Sequence, residues 1–263
     1  MSTRIQIIND LYTGGDEDTR LNRSRQGQLE FITTMEMIHR HAPAGAKVLE
    51  IGAGTGRYSI ALAKEGYAVN AIELVDYNLE VLRRNAGDLP GLCAQQGDAL
   101  DLSRFADNTF DVTLSLGPMY HLYEPADVHR ALDEALRVTK PGGIVLVAFL
   151  SVYAIMSNCY LNEGFLDGLA ENFTEDYVVR HYQEQFFTGY DIVEFERLFE
   201  GKPMEHLTTV AADGVLELAK ERPDFILTDE AFDRYVQYHL ATCQKRELLG
   251  MSSHLLVVGR KKG

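Results

Sequence analysis

The segment 48–56 constrains this chain most, because its residues VLEIGAGTG predict a β-strand that runs directly into a glycine-rich turn. After the apolar strand, Gly52, Gly54 and Gly56 occupy alternate positions, and a helix-forming run follows. Glycine tolerates positive φ angles and lets a ligand contact bare main chain. In an open parallel sheet such a turn lies beyond the carboxyl end of a strand, where nucleotide-like ligands bind.

Two classes of cofactor use a turn of this kind, and the glycine spacing separates them. A dinucleotide site needs G-x-G-x-x-G, whereas here the third glycine comes one residue earlier and position 57 is Arg. Glu50, at the strand end, would repel a pyrophosphate and suits a cofactor that carries positive charge. The turn therefore resembles the first motif of the class I S-adenosylmethionine-dependent methyltransferases, E/D-x-G-x-G-x-G. That resemblance implies S-adenosylmethionine as the cofactor.

Strands and helices alternate along most of the chain. We predict seven strands, at 47–51, 68–73, 92–96, 110–116, 144–150, 206–211 and 255–260. Strands separated by helices at this rhythm form a parallel sheet with right-handed crossovers and helices on both faces. The predicted fold is α/β, a seven-stranded, mostly parallel doubly wound sheet (Rossmann-like) with an N-terminal helical lid and helical insertions after the fifth and sixth strands.

Four regions follow from this pattern. We predict an N-terminal helical lid at 1–44, an S-adenosylmethionine-binding core at 45–150, a helical substrate cap at 151–205, and C-terminal core strands with a helical insertion at 206–263. The lid is predicted as a helical lead from Ile5 to His39, in which a turn-rich stretch at 11–18 precedes an apolar helical stripe at 29–38. The cap is rich in aromatic residues, which would shape an apolar or planar substrate site, clasp a quaternary ammonium product, or form a satellite core.

The resemblance implies roles for residues at the strand ends. The Glu73 carboxylate would accept hydrogen bonds from the ribose hydroxyls. The Asp98 carboxylate would accept one from the adenine amine, with the backbone N–H of Ala99 near the adenine ring. The methionine portion would lie against the glycine turn and Leu116. In the lid, an aromatic would cover the cofactor and an arginine would pair with its carboxylate; a solvated surface arginine is the alternative. The predicted cofactor-binding set is Glu50, Gly52, Ala53, Gly54, Glu73, Leu74, Asp98, Ala99, Leu116, Tyr12 and Arg20.

The fourth strand is followed by the sequence GPMYH at 117–121. Methyltransferases that act on base amines or on glutamine carry N/D-P-P-Y/F here, and this chain lacks the polar first residue. Methyl transfer is an in-line displacement, so it needs alignment and exclusion of water rather than a protein nucleophile. His121 is the predicted general base for a protonated acceptor, with Tyr120 beside it. The alternatives are a histidine hydrogen-bonded within the loop and a tyrosine that only packs.

Charge and composition narrow the partners. A net charge of -14 disfavours nucleic acid, and no apolar run is long enough to cross a membrane. The three cysteines and the remaining histidines show no metal-ligand spacing, so no metal is predicted. We expect a cytoplasmic monomer or homodimer that methylates O, N or S of a small metabolite. Methylation of RNA or protein and a non-catalytic S-adenosylmethionine-binding module are the alternatives.

Overall fold

The computed structural model describes residues 3–15, 17–182, 185, 187–220, 222 and 224–263. Asp16, in the predicted lid turn, and Phe186, among the predicted cap aromatics, lie outside the described residues. The strands are β1 (Lys47–Ile51), β2 (Ala68–Glu73), β3 (Leu92–Gln96), β4 (Phe110–Ser115), β5 (Thr139–Ser151), β6 (Gly189–Tyr190), β7 (Met204–Ala211) and β8 (His254–Lys261).

The helices precede, separate and follow these strands. They are α1 (Arg4–Tyr12), α2 (Arg25–His41), α3 (Arg57–Lys64), α4 (Asp76–Ala86), α5 (Pro125–Val138), α6 (Val152–Cys159), α7 (Phe165–Asn172), α8 (Ile192–Arg197), α9 (Leu216–Lys220), α10 (Asp229–Thr242) and α11 (Arg246–Leu249). A 3₁₀ turn at Pro118–His121 follows β4.

One sheet organises the described chain, in the order β3-β2-β1-β4-β5-β8-β7. Strands β1 to β5 pair in parallel, whereas β8 is antiparallel to both β5 and β7. This sheet confirms the predicted fold class. The strand order reverses between β1 and β4, and a crevice opens at such a switch point for ligands.

The predicted bounds of β1, β2 and β3 agree with the structure, and the remaining predicted strands differ at their ends by a few residues. An eighth strand, β6, was not predicted, because two residues beside β5 carry no periodic pattern. The core lies between the sheet and its helices and includes Phe110, Leu146 and Val257, all fully buried. Burial of each such side chain stabilises the fold by about 1.5–3 kcal/mol.

The helical lead predicted from Ile5 to His39, with its turn-rich stretch at 11–18, forms two helices. Helix α1 ends at Tyr12, and the chain turns at Gly14, whose φ is +79°. Helix α2 then starts afresh with Ser24, whose hydroxyl accepts the Gly27 N–H at 3.1 Å. The sequence also predicts Asp76 as the N-cap of α4, and this prediction is wrong, because Asp76 lies in the first turn of that helix, after Val75.

The long connection between β7 and β8 folds back over α2. Phe232 and Val236 of α10 pack with Leu29 of α2 and Leu216 of α9 in a separate apolar cluster. Helices from the predicted lid and from the C-terminal insertion therefore form one layer above the sheet. Among the described helices, we find none with the length and apolar character that crossing a membrane would require.

Candidate active site

A cavity of about 770 Å³ lies beyond the carboxyl ends of β1, β2 and β4. Its two sides differ in composition. We call one side the glycine-turn half, lined by Gly52, Gly54, Glu73 and Asp98. We call the other the histidine half, lined by Tyr120, His121, Phe187, Ser253 and His254. The cavity is continuous, so two ligands could lie in one enclosure.

The glycine turn takes the backbone conformation that its sequence predicts. Gly52 has φ +70°, Gly54 +55° and Gly56 +89°. A Cβ atom on Gly52 would lie 2.8 Å from Cδ of Pro118, in the loop after β4. Glycine at position 52 therefore lets two loops of the crevice approach each other and leaves bare peptide at the cavity wall.

Glu73 is fixed by main-chain donors at the end of β2. The Gly54 N–H donates to one carboxylate oxygen at 2.7 Å, and the Val75 N–H donates to the other at 2.9 Å. Burial raises the pKa of Glu73, and these hydrogen bonds act in the opposite direction. The carboxylate lines the cavity with lone pairs left over, an arrangement that fits a pair of ribose hydroxyls.

Glu50 is buried beneath the turn and also lines the cavity. Burial raises its pKa to about 8, although the Ser59 hydroxyl donates to the carboxylate, and nearby Glu73 adds to the increase. A buried acid of this kind is stabilised in its ionised form when a cation binds beside it. The acidic pair of Glu50 and Glu73 therefore fits a cofactor that carries positive charge.

Asp98 reaches the cavity at the end of β3, with Leu74, Ala99 and Leu116 also on the wall. The Leu100 N–H donates to one oxygen of Asp98 at 3.1 Å, and Arg4 of α1 forms a salt bridge with the other. Arg4 was not predicted as a site residue, because a single arginine at the start of a helix carries no signal of its partner. Asp98 is thus placed as predicted but is engaged by a protein cation.

The two predicted lid residues line the cavity, where both contact protein groups. The Tyr12 hydroxyl lies 2.8 Å from Nε2 of His121. Arg20 donates to both carboxylate oxygens of Glu30, at 2.8 and 3.2 Å, and to Glu17 at 3.2 Å. The guanidinium that was predicted to pair with a cofactor carboxylate is therefore held by carboxylates of the chain itself.

The loop after β4 places both predicted catalytic residues on the histidine half. Burial lowers the pKa of His121 to about 4, and Arg4 contributes, so the imidazole is neutral at pH 7. Its Nε2 meets Tyr12, and within the described residues its buried Nδ1 has no hydrogen-bond partner. The Tyr120 ring lies between two imidazoles, with centroid distances of 6.4 Å to His121 and 6.1 Å to His254.

His254 was assigned no role from the sequence, yet it lines the same cavity. Its Nδ1–H donates to Asp213 at 2.8 Å. Asp213 is fully buried and accepts further hydrogen bonds from the Ser252 hydroxyl at 2.6 Å, the Gln26 amide at 2.8 Å and the backbone N–H groups of Ser253 and His254 at 3.0 and 3.2 Å. So many donors hold this carboxylate in its ionised form.

A second carboxylate acts on the same imidazole, since Glu30 lies 3.8 Å from Nδ1 of His254. Burial by itself lowers the pKa of His254, but Glu30 and Asp213 outweigh it and raise the pKa to about 9. The ligand atoms of these three residues are close enough for a metal ion. The donors already on Asp213 fit a protonated imidazole better, because they occupy the lone pairs that a metal would need.

Comparison with known proteins finds a family match for the segment that contains the glycine turn. Residues 49–147 match the family described as a methyltransferase domain. The chain is 40% identical over 165 residues to a demethylmenaquinone methyltransferase of Paenarthrobacter aurescens (strain TC1), which covers 61% of this chain and 56% of that protein. It is 30% identical over 105 residues to the S-adenosyl-L-methionine-dependent Diels-Alderase iccD of Talaromyces variabilis. That match covers 38% of this chain and 35% of the other protein. The chain spans about half the length of the curated relatives it matches.

Solved structures resemble the whole chain rather than one segment. The PH0226 protein from Pyrococcus horikoshii OT3 superposes with a TM-score of 0.62 at 17% identity, covering 96% of this chain and 99% of that one. At this identity the likeness concerns the fold alone. The family match contains Glu73, Asp98 and His121, whereas Asp213 and His254 lie beyond it.

Proposed function

We propose that this chain, which belongs to the class I S-adenosylmethionine-dependent methyltransferases, transfers the methyl group of that cofactor to a small molecule held in the cavity. The observation that carries the proposal is the continuity of the cavity. It extends from the glycine turn and Glu73 to a wall of imidazole and aromatic groups. One enclosure can therefore bring a nucleoside cofactor and a second molecule into contact.

The glycine-turn half would hold the cofactor. Glu73 would accept the ribose hydroxyls, because its carboxylate is oriented by two main-chain donors. Asp98 and the backbone of Ala99 would bind the adenine after Arg4 moves from the Asp98 carboxylate. The turn at Gly52 to Gly54 and the backbone of Leu116 would accommodate the methionine portion. Glu50 would balance its positive charge.

The residues of the chain would orient the reactants and exclude water rather than form a covalent intermediate. The bound cofactor supplies an electrophilic methyl group on a positively charged sulfur. Tyr120 and His121 would form the wall beside that group, and Tyr12 would hold the His121 ring in place through the 2.8 Å contact. A preorganised, poorly hydrated wall favours in-line displacement because the acceptor is held at contact distance and water is kept out.

The acceptor is proposed to be a small, largely planar molecule with O, N or S as the methylated atom. Leu150, Ile155 and Phe187 give the histidine half an apolar surface. The relatives named demethylmenaquinone methyltransferase act, by their name, on a quinone, which supports an acceptor of this shape. The lid at 1–44 and the cap at 151–205 are proposed to supply its specificity, and the net charge of -14 argues against RNA.

A second candidate is a cyclisation in which the cofactor is bound but not consumed. The similarity to a Diels-Alderase that depends on S-adenosyl-L-methionine favours it specifically. The same cavity would then hold a substrate that folds against the cofactor. Loss of methyl label from the cofactor distinguishes methyl transfer from cyclisation, because only methyl transfer consumes the cofactor.

The test is incubation of the full chain with methyl-labelled S-adenosylmethionine and fractionated small-molecule extracts, followed by mass identification of labelled products. We expect label in a small organic product and formation of S-adenosylhomocysteine in equal amount. Binding of the cofactor in calorimetry without label in any fraction would favour cyclisation or a non-catalytic binding module. Absence of cofactor binding would contradict the whole proposal.

A further inference from the structure

We propose that His254 is an acceptor-binding residue, and that its Nε2–H holds an ionised oxygen of the acceptor, a phenolate or an enolate, in the histidine half. This inference rests on the proposed function and specifies its substrate class. It adds a residue that lies outside the matched family segment and that sequence reasoning left without a role.

The geometry of His254 leaves one nitrogen for a ligand. Its Nδ1–H is taken by Asp213 at 2.8 Å. No described residue forms a hydrogen bond with Nε2. The described side-chain atoms that are both fully buried and unpartnered do not include Nε2, so this nitrogen is not fully buried. An unpartnered nitrogen that is not sealed by protein, on a residue that lines the cavity, is open to that cavity.

The surroundings of His254 determine the charge it presents. Glu30 faces it from α2, Asp213 from the loop after β7, Arg20 from the segment before α2 and Tyr120 from the 3₁₀ turn. Arg20 is bound to Glu30, so one cation and one anion of this group already balance each other. Burial and, to a smaller extent, Arg20 oppose protonation of the imidazole, but Glu30 and Asp213 together raise its pKa to about 9. His254 therefore presents a cationic donor to the cavity below that pH.

A cationic donor in an apolar cavity selects among acceptors. An ammonium group would be repelled. A carboxylate would lose strong hydration against Leu150, Ile155 and Phe187. A phenolate or enolate spreads its charge over a planar apolar body, so it gains the charge-assisted hydrogen bond at a smaller desolvation cost.

The proton and electron balance of the transfer is then simple. The acceptor hydroxyl releases its proton to water on entering the site, because His254 is already protonated. The bond between sulfur and the methyl carbon breaks with its electron pair left on sulfur. The new bond uses an electron pair of the acceptor anion, and the neutral product no longer pairs with the imidazolium, which favours its release.

The variant His254→Asn tests this assignment. The asparagine amide can replace Nδ1–H as the donor to Asp213, and it lacks the distal nitrogen. His206→Asn is the matched control, because His206 is exposed on β7 and does not line the cavity. The probe is 4-nitrophenol, whose phenolate absorbs visible light, measured with each protein saturated with S-adenosylhomocysteine. The uncharged 4-nitroanisole is the matched ligand.

We expect the wild-type protein and His206→Asn to bind the probe as phenolate and to lower its apparent pKa by about one unit, roughly a tenfold effect. His254→Asn should lose this shift and bind the probe about tenfold more weakly, while its affinities for 4-nitroanisole and S-adenosylhomocysteine change less than about twofold. An unshifted probe on the wild-type protein, or an equal shift on His254→Asn, overturns the inference.

A second measurement covers a His254→Asn protein that does not fold. The pKa of His254 in the wild-type protein can be followed through its ring nitrogens by NMR, with and without 4-nitrophenol. The inference requires a protonated Nε2 at pH 7 whose resonance responds to the probe, and a neutral or unresponsive Nε2 contradicts it. Label transfer by a wild-type protein that fails these tests would leave the proposed function intact and remove only the role of His254.

Discussion

Polar groups in the glycine-turn half are held chiefly by backbone N–H groups, whereas those in the histidine half are held by other side chains. Glu73 and Asp98 accept from the main chain of neighbouring loops. In contrast, His121 depends on Tyr12 and His254 depends on Asp213. A backbone N–H donor remains after most substitutions, whereas a single substitution can remove a side-chain partner. The geometry of the histidine half is therefore more sensitive to a single substitution than that of the glycine-turn half.

The substitution Gly52→Ala, in the glycine-turn half, should have the largest effect. The added Cβ would lie 2.8 Å from Cδ of Pro118 at a φ of +70°, so strain and overpacking combine. We expect the free energy of unfolding, measured with urea, to fall by about 3 kcal/mol. Gly142→Ala is the matched control, since Gly142 has φ +77° and open space around it, and should cost about 1 kcal/mol. Equal losses would mean that the contact with Pro118 is unimportant.

Removing the carboxylate in Glu73→Ala should weaken binding of S-adenosylmethionine about 100-fold, because two charge-assisted hydrogen bonds are lost. Binding of an acceptor analogue such as 4-nitroanisole should be almost unchanged, which would show that the halves act separately. Calorimetry measures the first quantity and fluorescence or absorbance the second. Glu80→Ala, on the exposed face of α4, serves as control. Full cofactor affinity in the Glu73 variant would refute the proposed ribose contact.

The pH dependence of cofactor binding should report Glu50. Its pKa is raised to about 8 in the free protein, and a bound cation lowers that pKa, so binding expels a proton below pH 8. Affinity for S-adenosylmethionine should therefore rise about tenfold from pH 6 to pH 8 and level off above. S-adenosylhomocysteine, which lacks the sulfonium charge, should show a smaller rise. Calorimetry in buffers of different ionisation enthalpy counts the proton, and Glu50→Gln should abolish its release.

The smallest effect is expected from Tyr12→Phe, which removes one hydroxyl from the histidine half. Nε2 of His121 loses its partner at 2.8 Å, at a cost of about 1 kcal/mol. The KM for the acceptor should rise about fivefold, whereas the Kd for the cofactor should stay within twofold. Tyr153→Phe is the control. It removes an exposed hydroxyl that donates to Asp191 at 3.0 Å, and it should leave both constants unchanged. A larger change in cofactor affinity than in KM would place Tyr12 with the other half.

The sequence could predict the sheet and the glycine-turn half because both depend on short local patterns. Gly52 follows β1, Gly97 and Asp98 follow β3, and Glu73 ends β2 at the next strand end after the glycine turn. The pair of His254 and Asp213 had no such signal, since 41 residues separate its members and only tertiary folding joins them. The partner of Arg20 was equally hidden in the sequence. The charge of the arginine was evident, but its partner Glu30 depends on how the segment before α2 turns.

The salt bridge between Arg4 and Asp98 has a kinetic consequence. In the proposed complex the neutral adenine amine takes the place of the Arg4 guanidinium at the Asp98 carboxylate, so entry of the nucleoside requires this salt bridge to open. Both side chains are about one-fifth exposed, and dissolved ions weaken a pair that is reached by solvent. Added salt should therefore quicken loading of the nucleoside at this end of the cavity. An acidic pocket with no resident cation would show the reverse, because there salt only screens the attraction that draws a positive ligand in.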